Sequence, residues 1–175
     1  EVGTKKRYAG IILKNNEQQL IFKGLESVRT DWTELAKQFQ RTLYLKVFNG
    51  EPVEKFVIDT VNKTKNGELD DQLIYRKRIR RKLELYVKNV PPHIKAARLA
   101  DDINLTLGNP LKFQNKGWIE YYLTTVGPQA KGYVNAPLDY QVYVDKQLAT
   151  VADAILPFIG TSFSQITDAQ MNLFQ

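Results

Sequence analysis

The sequence predicts an α+β fold, mostly helical, with a small sheet component and an N-terminal β-hairpin. Three observations lead there. Apolar residues recur at helical spacing after Trp32, after Pro91 and after Ala136. Gly117 to Val126 (GWIEYYLTTV) is rich in aromatic and β-branched residues, the composition of a strand. Ala9 to Leu13 (AGIIL) and Leu20 to Phe22 are apolar runs separated by Asn15-Asn16, a pair that tolerates positive φ and suits a hairpin turn.

Taken in order, Lys5, Lys6 and Arg7 lead into Tyr8 and the first strand of the hairpin. Cations and a ring presented from a short stiff strand can hold phosphates and lie along a sugar or base; they can equally guard a solvated edge strand. Asp31 with Glu34 three residues later resembles a capping box, and Trp32, Leu35, Ala36, Phe39, Leu43 and Val47 predict a helix running to Asn49-Gly50. Pro52 opens a second helix through Phe56, Val57, Thr60 and Val61, with Gly67 as a left-handed cap. Leu73 to Arg81 (LIYRKRIRR) fits a strand with outward basic residues as well as it fits a helix. Pro91-Pro92 start the next helix, with Ile94, Ala97, Leu99 and Ile103 inward and Gly108 and Pro110 as the stop. His93 reads as a side chain at that helix start, not as a ligand. The strand at Gly117 to Val126 is closed by Gly127-Pro128 and should lie under the helices. Tyr140, Tyr143, Val144 and Leu148, then Val151, Ile155 and Phe158, predict two helical stretches over the same core.

At 175 residues the chain is the size of one domain, or of a domain with an appended piece, and can hold a real core. It has no Cys and one His, which excludes disulfides and thiolate metal sites and leaves nothing for a histidine zinc site. No hydrophobic run is long enough to span a bilayer, and no amphipathic anchor shows a Trp or Phe face, so no membrane partner is expected. The net charge is +6, unevenly spread. Between Tyr75 and Arg98 nine basic residues face one acid, Glu84, and the rest of the chain holds 16 basic against 18 acidic residues. All the excess positive charge therefore lies in one segment, the footprint expected for a polyanion, although a charge run can also be a solvated face.

Several segments then resemble one family. TKKRYAG at Thr4 to Gly10 and KGLESVRTDW at Lys23 to Trp32 resemble the palm-to-thumb passage of family B DNA polymerases, in particular their bacterial members. YRKRIRRKLELY at Tyr75, NVPPHIKAARLA at Asn89, GWIEYYLTT at Gly117 and PLDYQVYVDKQLATVADAILPFI at Pro137 follow in the family's order, so the likeness covers essentially the whole chain. The resemblance implies a polymerase thumb domain (31–160) preceded by a β-hairpin from the palm (1–30) and followed by a C-terminal segment (161–175). It implies that Lys5, Lys6, Arg7 and Tyr8 contact primer DNA, and that Arg29 and Asp31 match the family's VRRDW pattern with Thr30 in place of the second Arg. In the thumb, Arg76, Lys77, Arg78, Arg80 and Arg81 are the candidates for phosphate contacts. Primer-template DNA is the implied partner and the bacterial cytoplasm the implied location. A chain that starts at Glu1 and enters a strand at once is read as a piece of a longer polypeptide.

Two-metal phosphoryl transfer needs carboxylates that bridge magnesium ions, and the family's double-Asp strand turn is not in this sequence. Asp70-Asp71 and Asp101-Asp102 are adjacent pairs whose side chains diverge, and they read as helix-end and surface charges. The expectation is a portion with no catalytic residue, no metal ligand and no cofactor of its own, belonging to a parent enzyme that uses Mg2+. At the end of the chain, Gln170, Met171, Asn172, Leu173 and Phe174 resemble the sliding-clamp-binding pentapeptide of bacterial polymerases, with Met171 where Leu is usual. The polar stretch from Thr161 to Asp168 would serve as its tether. The rival reading is a stand-alone basic nucleic-acid-binding or scaffold module without enzymatic activity.

Overall fold

A computed structural model describes residues 8–14, 17–23 and 32–172. Strands β1 (Tyr8–Lys14) and β2 (Glu17–Lys23) pair antiparallel in a two-stranded sheet, with Tyr8 opposite Lys23 and Lys14 opposite Glu17. This is the expected strand pairing; Asn15 and Asn16, where the sequence places the turn, lie outside the described residues.

Helix α1 (Glu34–Phe48) carries Leu35, Ala36, Phe39, Leu43 and Tyr44 into the core at the spacing the sequence predicts. Its cap differs from expectation. Thr33, two residues after Asp31, is the N-cap, and its hydroxyl accepts from Ala36 N at 3.3 Å. Thr33 is also fixed from outside the helix: its backbone N and its Oγ1 both donate to Gln147 Oε1, at 3.0 and 2.9 Å. Helix α2 (Glu54–Lys65) follows with Val53 at its N-cap, so Pro52 lies just before the helix and not in its first turn, and Gly67 (φ +78°) makes the left-handed exit foreseen for it.

Strand β3 (Tyr75–Ile79), β4 (Gly117–Thr124) and β5 (Gly127–Ala130) form an antiparallel sheet in the order β3-β4-β5. The segment that fits strand and helix equally by sequence is thus a strand. Gly127-Pro128 does not merely close β4; it begins the return strand, with Tyr121 opposite Ala130. Helix α3 (Pro92–Thr106) lies against β5 and β4 and turns His93, Ile94, Ala96, Ala97, Ala100, Asp101 and Asn104 inward. Leu99, expected on that face, is 40% exposed, because the buried stripe runs through the small alanines beside it and lets the helix approach the sheet closely.

Asp101 overturns the reading of its pair as surface charge. It is 4% exposed and gathers the loop after α3, accepting from Lys112 N (2.8 Å), Phe113 N (3.0 Å), Gln114 Nε2 (2.7 Å) and Asn104 Nδ2 (3.2 Å). Burial alone would raise its pKa, but these donors outweigh that and hold the carboxyl below its ordinary 3.8.

The two helical stretches expected after Ala136 are one run. Helix α4 (Tyr140–Tyr143) passes through a π turn (Val144–Ala149) into α5 (Thr150–Ile155) and a 3-10 turn (Leu156–Ile159). Phe158, placed inward by the sequence, is exposed on that last turn. Gly160 (φ +75°) reverses the chain, and α6 (Phe163–Asn172) occupies the stretch expected to be a tether. Ser162 caps it, accepting from Gln165 N at 3.2 Å, Asp153 Oδ1 accepts from Phe163 N at 2.9 Å, and Phe163 and Ile166 are buried against the body of the fold.

One continuous core joins these elements. Its centre is a tyrosine stack, with Tyr75 lying 5.2 Å from Tyr121 and 5.7 Å from Tyr143 between ring centroids. The Tyr75 hydroxyl accepts from Gln147 Nε2 at 3.0 Å, and the Tyr143 hydroxyl accepts from Leu123 N at 2.9 Å. Burial pushes the Tyr143 phenol far above its ordinary range, so it stays protonated at any working pH.

Replacing Gln147 by Ala should leave two Thr33 donors short of a partner and cost about 1–3 kcal/mol for each buried group so stranded, measured by urea unfolding. An unchanged midpoint would show that the bonds are dispensable. Asp101→Asn should destabilise at neutral pH by a similar amount. Because the folded carboxyl titrates below 3.8, the stability it supplies is complete above that value and is lost as pH falls through its lower, folded pKa. The gap between wild type and variant should therefore narrow as pH falls into acid, and a gap that does not change with pH would contradict the assignment.

Candidate nucleic-acid interface

The basic segment is organised by the alternation of β3. Tyr75 and Ile79 are buried on one face, and Arg76 and Arg78 stand exposed on the other. Lys77 has the parity of the buried pair and is half-buried, bordering a cleft with Trp32, Pro92, His93 and Gln147. Among these five candidates it is the least exposed, and it still borders the groove that Arg76, Arg78 and Arg80 line. Arg80 and Arg81 follow the end of the strand, and both are exposed. Arg98 is withdrawn: its Nη2 donates to the carbonyls of Leu83 and Tyr86, at 2.5 and 2.7 Å, pinning the turn after β3 to α3.

The register of β4 adds two side chains to the cationic face. Arg78 is opposite Trp118, and Arg76 is opposite Glu120, the one acid among them. The Arg76 guanidinium lies over the Trp118 ring at 4.1 Å, and the Arg81 guanidinium lies over Tyr86 at 4.5 Å. Tyr86 OH accepts from Arg80 N at 3.2 Å, which ties the strand's end to its ring. His93 meets Tyr86 edge-on at 6.3 Å. Burial first, and the Lys77 ammonium second, lower the His93 pKa against a hydrogen bond with the Arg78 backbone, so the imidazole is neutral at pH 7. Between these side chains runs an open groove of about 240 Å³. The arrangement can attract a polyanion and hold phosphates at arginine spacing along an edge strand.

Trp118 and Tyr86 are not among the candidates that the sequence yields. Trp118 is legible as an aromatic on a strand, but only the pairing register sets it beside Arg76. Of the remaining candidates, Tyr8 stands at the start of β1. Lys5, Lys6, Arg7, Arg29 and Asp31 lie outside the described residues, as do Leu173 and Phe174. Gln170 and Met171 occupy the last turn of α6 and border a groove of about 810 Å³ shared with Ile58 and Val61 of α2. The first half of the pentapeptide is thus part of a docked helix.

Among the described residues, no group of three or more His, Asp or Glu side chains is placed to hold a metal ion. Asp101 has both oxygens committed to four donors, and Asp70 Oδ2 accepts from Tyr140 OH at 3.1 Å. These residues do not fit the magnesium pair of phosphoryl transfer. No helix among the described residues is long and apolar enough to cross a membrane.

Comparison with known proteins agrees with the resemblance seen in the segments. The chain is 52% identical over 174 residues to DNA polymerase II of Escherichia coli (strain K12), an alignment covering 99% of this chain and 22% of that protein. It is 30% identical over 169 residues to DNA polymerase 2 of Aeropyrum pernix, and 30% identical over 171 residues to a DNA polymerase of Pyrococcus horikoshii, covering 90% of this chain in each case and 20% and 13% of theirs. The chain therefore spans about a fifth, or less, of the length of these relatives. The sequence model of DNA polymerase family B matches residues 2–159, nearly all of the hairpin and the helical domain, and the chain belongs to that family.

Proposed function

We propose that this chain is the C-terminal portion of a DNA-directed DNA polymerase, and that it grips primer-template duplex without carrying the chemistry. In this reading residues 1–30 are the palm-derived hairpin, 31–160 the thumb, and 161–175 the segment bearing the clamp-binding pentapeptide. The observation that carries it is the outward row of Arg76, Arg78, Arg80 and Arg81 on and after an edge strand, in a segment holding the chain's whole positive excess. Phosphate contacts of this kind carry no sequence information, which suits a grip that must follow any template. Lys5, Lys6, Arg7 and Tyr8 on the hairpin, with Arg29 and Asp31 after it, would meet the primer strand closer to its growing end. The catalytic carboxylates and their Mg2+ ions would belong to the part of the polymerase outside this chain, acting in the bacterial cytoplasm.

The same reading gives the pentapeptide a partner. Leu173 and Phe174 are large apolar side chains suited to a preformed pocket on a bacterial sliding clamp, with Gln170 and Met171 as the leading contacts. Since α6 is docked through Phe163 and Ile166, the start of that helix is not available for the contact.

Changing Arg78, Arg80 and Arg81 to Ala together should weaken duplex binding and reduce the slope of log affinity against log salt by about 0.9 for each phosphate that the variant no longer neutralises. A triple variant with the wild-type slope would show that the row is only a solvated face. Leu173→Ala combined with Phe174→Ala should abolish binding to the sliding clamp in surface plasmon resonance and leave the salt slope for duplex DNA unchanged. Retained clamp affinity would remove the pentapeptide from the interface.

A further inference from the structure

A duplex grip needs cations along a backbone, but the face beside β3 carries aromatic rings as well. Trp118 keeps 53% of its surface open on the outer side of the sheet, although the inner side of the same strand buries Ile119 and Tyr121. The Arg76 guanidinium lies over the ring, 4.1 Å from its centre, and more than half of the residue's surface still stays open. Tyr86 and His93 line the groove of about 240 Å³ with Trp118, as do Lys77, Arg78 and Arg80. Tyr86 is itself held by Arg80 N and by the stacked Arg81. His93 is buried, and its Nδ1 has no hydrogen-bond partner among the described residues.

We propose that this groove is a binding site for one unpaired nucleotide of single-stranded DNA, with Trp118 as the stacking ring and Arg78 and Arg80 as phosphate partners. The proposal rests on the nucleic-acid reading of β3 and goes beyond the duplex grip. The faces of paired bases are closed to side chains by their own neighbours in the stack, so an exposed indole finds a base to stack on only where the strand is single. Arginines adjoining an aromatic ring are the combination that tracks a single strand with little regard to sequence, the ring taking the base and the guanidinium taking the phosphate. The groove has room for one base beside the ring and none for a double helix. On a polymerase, such a site would hold a frayed or displaced strand against the domain while duplex occupies the rest of the cationic surface.

The chain offers its own reporter, because it has two tryptophans, Trp32 at 7% exposure and Trp118 at 53%. Indole fluorescence is titrated at one salt concentration with a short oligothymidylate and with a hairpin duplex of the same number of phosphates. The oligothymidylate should quench Trp118 to a saturating value, and the duplex should leave the emission nearly unchanged. By anisotropy of labelled DNA, Trp118→Ala should weaken oligothymidylate binding roughly tenfold and duplex binding less than about twofold, with Trp118→Phe retaining most of the affinity. An unchanged melting temperature in both variants, as expected for an exposed side chain, excludes loss of folding as the cause. Duplex binding with no quenching by oligothymidylate, or an alanine variant that weakens both ligands equally, would overturn the single-strand site and leave the duplex grip standing. Failure of both ligands to bind would overturn the grip as well.

Discussion

The fold depends most on the buried amide of Gln147. Its Oε1 accepts from two donors of Thr33 and its Nε2 donates to Tyr75, so one side chain on the π turn fixes the start of α1 and the inner face of β3. All three residues are buried, and a polar group there costs far more unpaired than paired. The relative placement of helix, turn and sheet is therefore set by hydrogen-bond geometry, which is directional, and not by apolar contact alone, which is not. The tyrosine stack around Tyr75 fills the space between these bonds.

That inner constraint is what frees the outer face. With Tyr75 and Ile79 committed to the core, the pleat obliges Arg76 and Arg78 to point away from it. Like charges so close repel one another. The cost is limited by full solvation, by the rings of Trp118 and Tyr86 under two of the guanidinium groups, and by Glu120 across from Arg76. An edge strand studded with arginine also resists pairing with another strand, which keeps the surface open for a polyanion.

The parts of this structure legible in the sequence are those where periodicity and local chemistry agree. The buried stripe of α1, the left-handed exit at Gly67 and the strand at β4 follow from residue spacing and from glycine's freedom at positive φ. What could not be read depends on pairing or on long-range partners. Asp101 looks like half of a surface pair until the backbone of 112 and 113, eleven and twelve residues on, closes over it. Apolar spacing continues unbroken from Tyr143 to Ile155, so nothing in it betrays the π turn. Helix α6 is a different case, since Ser162 followed by Gln165, with Phe163 and Ile166 three apart, is a helix-start signature that a polar composition concealed. For the site, the cations were evident as a charge cluster, but their sorting into outward Arg76 and Arg78, half-buried Lys77 and internal Arg98 required the register of β3 and the position of α3.

The outer face of β3 and the turn after it are where the domain should meet DNA. Backbone amide shifts, followed by nuclear magnetic resonance while a short primer-template duplex is added, map that contact directly. Perturbations are expected to concentrate on Arg76, Arg78, Arg80 and Arg81 and to fade with added salt, while the α2–α6 groove stays silent. Shifts centred on that groove, or spread evenly over the surface, would contradict a DNA grip built on β3.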